Sequence, residues 1–233
     1  MHKSARHQGV TINIEYDENV YQPGTLTGIL CDIMEVKKGD RVIDVGCGTG
    51  YIGIVAALLG ASGVICTDPV LAALRWTLHN ARLNGVRNLI VKPGCALDPV
   101  IDDDADLILT LPSQMPYPTN FNSWRYGGPD GTDVIVKIIR QARIILKKKG
   151  ARLYLVHSAL ANPAKTRKEL SESGFRWEVA ETVEKKVDHA DLNNLSPGLI
   201  DYLRELMHRG KVDIIEREGK YYYPVWFYRA EVK

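Results

Sequence analysis

The chain has 233 residues, 45% of them hydrophobic and 25% charged, which suits one large globular domain or one core carrying a modest insertion. Thirty basic against twenty-eight acidic side chains leave a net charge of +2, too small for the electrostatic footprint of a nucleic-acid binder. No apolar run nears the ~18 residues of a membrane span, the start MHKSARHQGV lacks the apolar segment of a secretory signal, and Cys31, Cys47, Cys66 and Cys95 show no zinc spacing. A cytoplasmic protein with free thiols and no metal site is expected.

In chain order, Val10 to Tyr16 reads as a strand, Val20 to Gly24 as a loop and Thr25 to about Val36 as a helix. From residue 41 short β-branched runs alternate with helical patterns. Arg41 to Val45 is a strand, Tyr51 to Gly60 a helix, Val64 to Asp68 a strand and Leu71 to Leu83 a helix. Strands at Leu89 to Lys92 and Asp106 to Leu111 follow. A helix capped by Thr132 or Asp133 runs to Lys148, its basic last turn and Gly150 suiting a C-terminus. Then come strand Arg152 to His157, helix Pro163 to Ser173, strand Trp177 to Val187, a polar stretch and helix Pro197 to His208. Two strands about the turn Glu218-Gly219 complete the pattern, the second being the β-prone Tyr221 to Tyr228. The alternation predicts an α/β fold with a doubly wound, mostly parallel seven-stranded sheet and an insertion before the last strand. Residues 1–40 are expected to form a strand and helix extension packed on the core. Residues 41–233 then make one ligand-binding domain with a lid-like insertion at about 188–219.

The first segment that carries chemistry is V-I-D-V-G-C-G-T-G, Val42 to Gly50. Glycines directly after a strand let a ligand approach the backbone where the next helix begins. Asp68 ends the following strand, 24 residues after Asp44, where a carboxylate can accept both hydroxyls of a ribose. Together they predict a nucleoside site at the carboxyl end of a parallel sheet. Gly48, Gly50 and Gly53 also satisfy the dinucleotide fingerprint, with Asp68 20 residues beyond Gly48. Two features count against NAD: the strand already breaks at Gly46, and Asp44 sits where a dinucleotide site usually has an apolar residue. A carboxylate inside a strand is costly unless it serves a bound cation or ordered loop amides. S-adenosylmethionine (SAM) brings an ammonium and a sulfonium and no phosphate. These residues favour SAM and leave NAD open.

Asp44 to Gly50 resembles motif I of class I SAM-dependent methyltransferases. V-Y-Q-P-G-T-L-T, Val20 to Thr27, looks like the stretch ahead of motif I in the HemK/PrmC release-factor glutamine methyltransferases. G-G-P-D-G-T-D-V-I, Gly127 to Ile135, is similar to that family's G-x-D-G-L-D segment, so the resemblance spans roughly residues 20–160. It implies SAM as cofactor, with Asp44, Gly46, Cys47 and Gly48 lining its methionine end and Asp68 and Pro69 at the ribose. Tyr21 would belong to the pocket wall, and Cys95 and Ala96 to the adenine subsite. The family has an adenine-binding Asp where Cys95 stands, so one side-chain contact is lost. Its acceptor motif N-P-P-Y falls on Leu111, Pro112, Ser113 and Gln114, the catalytic position here. Leu111 makes no hydrogen bond and Gln114 has no aromatic face, whereas an amide nitrogen depends on such partners to aim its lone pair at the methyl carbon.

The expected activity is methyl transfer from SAM to a small-molecule or peptide side-chain nucleophile beside Leu111 to Gln114, with room for a partner subunit. Two alternatives stay within the same cofactor: a protein-glutamine N-methyltransferase with a remodelled acceptor motif, and a SAM-binding sensor or partner subunit without activity. A nicotinamide-dependent oxidoreductase is the third. Gln22 shares the pocket-wall loop with Tyr21, and Tyr117 follows the acceptor motif; Trp124 and Tyr126 could stack on a ligand or pack. Asp130 and Asp133 read best as helix caps, and His157 either as a general base or as a hydrogen-bonded sheet residue. Asp188, His189 and Asp191 read as a solvated loop rather than a metal site, and the 221–228 aromatics as packing.

Overall fold

The computed structural model describes residues 1–119 and 125–233. Its strands are β1 (His2–His7), β2 (Val10–Glu15), β3 (Arg41–Val45), β4 (Gly63–Asp68), β5 (Leu89–Pro93), β6 (Leu107–Thr110), β7 (Arg152–Ser158), β8 (Phe175–Asp188), β9 (Ile215–Arg217) and β10 (Lys220–Val232). Its helices are α1 (Thr25–Ile33), α2 (Tyr51–Leu58), α3 (Leu71–Leu83), α4 (Asp133–Ile145), α5 (Pro163–Glu172), α6 (His189–Leu195) and α7 (Leu199–His208). The main sheet runs β5-β4-β3-β6-β7-β10-β8, with β9 added beside β10. Among the described residues it therefore has eight strands, one more than expected, because the short β9 pairs over only three residues, Lys220 to Tyr222 of β10. β10 lies antiparallel between β7 and β8, and the pairings from β5 to β7 are parallel.

Strand alternation builds the two faces. In β3, Val42 and Asp44 point to the face covered by α1, α2 and α3, while Ile43 and Val45 point to the face covered by α4 and α5. All five β3 residues except Arg41 are buried, as a strand covered on both faces requires. Helix α4 buries Ile135, Ile138, Ile139, Ala142 and Ile145, a stripe at three- and four-residue spacing. A buried ion pair between Asp40 and Arg152 ties the entry of β3 to the start of β7. The order of strands reverses between β3 and β6, whose tips Val45 and Thr110 are register partners. Open sheets of this kind take ligands in that crevice.

The N-terminal hairpin β1–β2 was only half legible. H-K-S-A-R-H has no apolar alternation, and it becomes a strand because Gln8 and Gly9 adopt φ of 46° and 90°, the left-handed pair of a tight hairpin turn. The hairpin is held by side-chain amides. Asn80 and Asn84 of α3 exchange hydrogen bonds with the backbone of Glu15 and Asn13, at 2.6 to 2.9 Å, substituting for a further strand. α6 occupies the stretch expected to be a solvated loop, and the long β10 continues through Arg229 to Val232, where the polar residues hid its pairing with β7 and β8. Among the described residues no helix is long and apolar enough to cross a membrane.

His157 is wholly buried, stacked at 6.0 Å on Trp226, with neither ring nitrogen partnered among the described residues. Burial first, and the Arg167 charge second, push its pKa down to about 3. The unfolded chain takes up a proton near pH 6.5 that the fold excludes, so this contribution is fully present above that pH and is lost on acidification. Urea denaturation should show stability falling by about 1.4 kcal/mol per pH unit below about 6.5 from this residue. In His157→Phe the same measurement between pH 7 and 5 should show a slope shallower by that amount.

Candidate functional site

The chain leaves β3 through Gly46, Gly48 and Gly50, with φ of 72°, 54° and 81°, a path only glycine takes without strain. Gly46 and Cys47 both donate their N–H groups to the Thr67 carbonyl, at 2.8 and 3.0 Å, which pulls the loop across the tip of β4. Asp68 returns the tie: its Oδ2 accepts from Gly48 N–H at 3.0 Å and its Oδ1 from Val70 N–H at 2.8 Å. Burial raises the Asp68 pKa, against these two amides. A carboxylate has about four lone-pair sites, so Asp68 keeps acceptor capacity beyond the loop.

Asp44 lies beneath this loop, fully buried. Its Oδ2 accepts from Gly53 N–H at 2.9 Å, and its Oδ1 has no partner among the described residues. Burial is the main cause that raises its pKa to about 7; the Gly53 amide opposes this and the Asp68 charge adds to it. Gly53 is required here for packing, since a Cβ would stand 2.7 Å from Cys66 Sγ and 3.1 Å from Asp44 Oδ2. The Cys47 side chain turns inward to Thr77 Oγ1 at 3.3 Å, so only its backbone faces the crevice. Thr77 Oγ1 donates to the Gly48 carbonyl at 3.1 Å and Asn80 Nδ2 to the Thr49 carbonyl at 2.9 Å. These two α3 side chains were missed from the sequence; the signal was a pair of polar residues three apart on a buried helix face.

Around this loop the structure gathers most of the expected cofactor residues. The Tyr21 carbonyl oxygen lies 3.9 Å from where a Gly48 Cβ would stand, and the side chain is 43% exposed. Pro69 is exposed directly after Asp68. At the tip of β5, Ala96 takes a left-handed φ of 54°, its carbonyl accepting from Thr67 Oγ1 at 3.0 Å, while Cys95 is exposed. Tyr223 of β10 was read as packing only. It reaches the apolar clusters on both faces of the sheet, and its phenol pKa is raised by burial and then by the neighbouring Tyr21.

The acceptor motif divides. Leu111 packs half-buried on the α1–α3 side, and Pro112 and Ser113 turn the chain out of the sheet. The Gln114 side chain is bonded to the neighbouring backbone. Its Nε2 donates to the carbonyls of Val156 at 3.2 Å and Pro112 at 3.3 Å, and its Oε1 accepts from Ser158 N–H. The side chain thus continues the β6–β7 ladder past Thr110, where β6 leaves the sheet. Gly127 and Gly131 close on the same residue: their Cβ atoms would lie 2.5 Å from Gln114 Cα and 2.6 Å from its carbonyl oxygen.

The remaining candidates are structural or lie elsewhere. Asp130 bonds Thr132, Asn162 and Lys165, anchoring the loop before α4, and Asp133 opens that helix. Tyr117 donates its hydroxyl to the Pro197 carbonyl, and Tyr202 of α7 donates to the Pro129 carbonyl at 2.8 Å, so the segment between β8 and β10 rests on the acceptor loop. Gln22 donates to Met1 Sδ at 3.7 Å, away from the glycine loop. Tyr126 is half-buried and forms an isolated bridge with Met115; Trp124 lies outside the described residues. His157, sealed from solvent, cannot serve a substrate as base. Asp188 pairs with Lys220 at 3.2 Å and His189 packs on Tyr221, and among the described residues no group of three metal-ligating side chains forms.

A family model described as ribosomal protein L11 methyltransferase (PrmA) matches residues 24–110. The ribosomal protein L11 methyltransferase of Thermotoga neapolitana is 45% identical over 75 residues, 32% of this chain and 28% of that protein. The chain thus spans less than a third of the length of these ribosomal relatives. A Methanocaldococcus jannaschii protein, named as a candidate protein N5-glutamine methyltransferase, is 27% identical over 176 residues, 72% of this chain and 87% of the relative. The E. cuniculi Mtq2–Trm112 complex, described as responsible for methylation of the eRF1 translation termination factor, superposes with a TM-score of 0.60 at 18% identity. That match covers 92% of this chain and 99% of the other. The protein has the class I methyltransferase fold, and its glycine-loop half is similar to that of the L11 enzymes.

Gln114→Ala tests the ladder role. It leaves Ser158 N–H and the Val156 carbonyl unpaired, so denaturant unfolding should show a loss of about 1–3 kcal/mol. The affinity for a ligand at the glycine loop should stay within about twofold, because that loop is held by Thr67, Asp68 and Thr77 instead.

Proposed function

We propose that the chain is a SAM-dependent methyltransferase acting on a small-molecule or peptide side-chain nucleophile. The observation that carries this reading is the glycine loop itself, bracketed by two carboxylates. Among the described residues no atom stands within 4 Å of a Cβ built on Gly46, and around Gly48 the Tyr21 carbonyl alone comes within that distance, which suits a cradle for a ligand. Asp44 below it carries an oxygen without a partner among the same residues, and Asp68 at its flank keeps acceptor sites. A carboxylate at Asp44 beneath the loop suits an ammonium and opposes a diphosphate, while Asp68 can accept from ribose hydroxyls in either kind of nucleoside ligand. When bound, SAM supplies an electrophilic methyl group on a sulfonium.

The residues fit that group. Gly46 and Gly48 would lie along its methionine end, Asp44 would supply the opposing charge, Asp68 would hold the ribose, and the 94–97 segment would meet the adenine without the family's carboxylate. Beyond the strand tips, Leu111, Tyr21 and Tyr223 offer apolar and aromatic walls that exclude water, and a dry site with an aligned lone pair is most of what in-line methyl transfer needs. The insertion between β8 and β10 acts as a lid on the acceptor side through its contacts at Tyr117 and Tyr202. Four free cysteines fit a reducing cytoplasm. A second reading, methylation of a protein glutamine with a partner subunit, is favoured by the M. jannaschii and E. cuniculi relatives. Leu111 weighs against it, because neither it nor the committed Gln114 can orient an amide nitrogen.

Calorimetric titration with SAM, S-adenosylhomocysteine and NAD tests the cofactor. Micromolar binding of the first two and none of NAD is expected, weakened about tenfold or more in Asp68→Asn, which keeps a side-chain oxygen but removes the charge. NAD binding alone, or no binding, overturns the reading. The Asp44 pKa of about 7 adds a pH signature: a bound cation favours the ionised form, so SAM affinity should fall as pH drops from 7 to 5.5, approaching about tenfold per unit. Titrations on Asp44→Asn should lose that dependence.

A further inference from the structure

A half-buried lysine lays its stem along apolar surface and keeps its ammonium in water unless a carboxylate or carbonyl receives it, so one without a partner has its charge available to a ligand. Among the described residues five lysines are half-buried: Lys3, Lys92, Lys137, Lys185 and Lys220. Four have partners. Lys3 donates to the Pro23 carbonyl at 2.7 Å, and Lys92, Lys137 and Lys220 pair with Asp103, Asp98 and Asp188 at 2.6, 2.6 and 3.2 Å. Lys185 of β8 has neither ion pair nor hydrogen bond among the described residues, and residues 120–124 (N-F-N-S-W) contain no carboxylate that could supply one.

Its place in the fold gives this meaning. Lys185 is the register partner of Tyr223 across the β8–β10 ladder, so the two side chains leave the same face with Cβ atoms about 5 Å apart. Tyr223 neighbours Tyr21, whose backbone approaches Gly48, and like Leu111 it packs against the apolar cluster on the α1–α3 side. Leu111 makes no hydrogen bond and Gln114 is committed to the sheet, which leaves Ser113 as the polar side chain of the strand-end motif and no charged one to fix a substrate. We propose that the methyl acceptor is a small molecule bearing a carboxylate, its flat or apolar body held by Tyr21 and Tyr223 and its charge received by Lys185.

This assignment of Lys185 to the acceptor rests on the methyltransferase reading, but the anion site itself can be measured apart from it. Benzoate and its neutral isostere benzamide are the probes, titrated into the protein with and without S-adenosylhomocysteine. Benzoate should bind about tenfold or more tightly than benzamide, the gain of one charge-assisted contact. Lys185→Met, which keeps the apolar stem, should erase that preference and leave S-adenosylhomocysteine affinity unchanged. Lys186→Met, at the exposed neighbour on the opposite face, should keep it. Equal binding of the two probes, or a preference that survives in Lys185→Met, overturns the proposal and returns weight to an uncharged acceptor such as a glutamine side chain. If S-adenosylhomocysteine fails to bind while the Lys185-dependent preference persists, the cofactor reading falls and the carboxylate site stands.

Discussion

One carbonyl and one carboxylate at the tip of β4 organise the functional end of the molecule. Thr67 receives the N–H groups of both Gly46 and Cys47, and Asp68 receives that of Gly48, so three successive amides of the glycine loop are bound to the neighbouring strand. The loop cannot relax toward β6, and the crevice at the strand reversal stays open. α3 completes the arrangement from above by bonding the loop carbonyls through Thr77 and Asn80. Asn80 also holds β2, so the N-terminal hairpin and the ligand loop share one side chain.

Asp44 shows how a local cost is turned to use. A buried carboxylate with one oxygen unpartnered among the described residues is costly to ionise, and burial raises its pKa. On the proposed reading the same carboxylate beneath the loop would favour a cation over a phosphate, so selectivity would be set by what the pocket lacks as well as by what it offers. On the acceptor side the logic is reversed. The Gln114 amide of the strand-end motif is absorbed into the sheet, and beside Ser113 the neighbouring surface is apolar and aromatic.

Much of this was legible because period and punctuation agree. The strands from β3 to β7 are short, β-branched and bounded by glycine or proline, and Gly46 to Gly50 can only be a turn. β1 escaped because its side chains are polar on both faces and only the Gln8-Gly9 turn marks it. Asp44, expected to serve loop amides or a cation, accepts instead from the Gly53 amide in the first turn of α2. The bonds of Gln114 were not legible for a reason that sequence cannot convey: whether a side-chain amide faces a cleft or replaces a missing strand depends on where β6 ends relative to β7. Tyr223 and Lys185 were hidden for a similar reason. They come from a strand some 110 residues beyond the acceptor motif and from its ladder partner, and nothing local announces that they converge.

The position of β10 has a consequence for how the molecule is made. The last strand in the chain lies inside the sheet, antiparallel between β7 and β8. β8 therefore has no neighbour to pair with until residues 220–232 have been synthesised and have threaded into place. The parallel half, from β5 to β7, can assemble earlier from contacts closer in sequence. A nascent chain thus carries an unpaired fourteen-residue strand, rich in glutamate and lysine, until β10 has emerged. Those charges keep a waiting edge from pairing with the wrong chain.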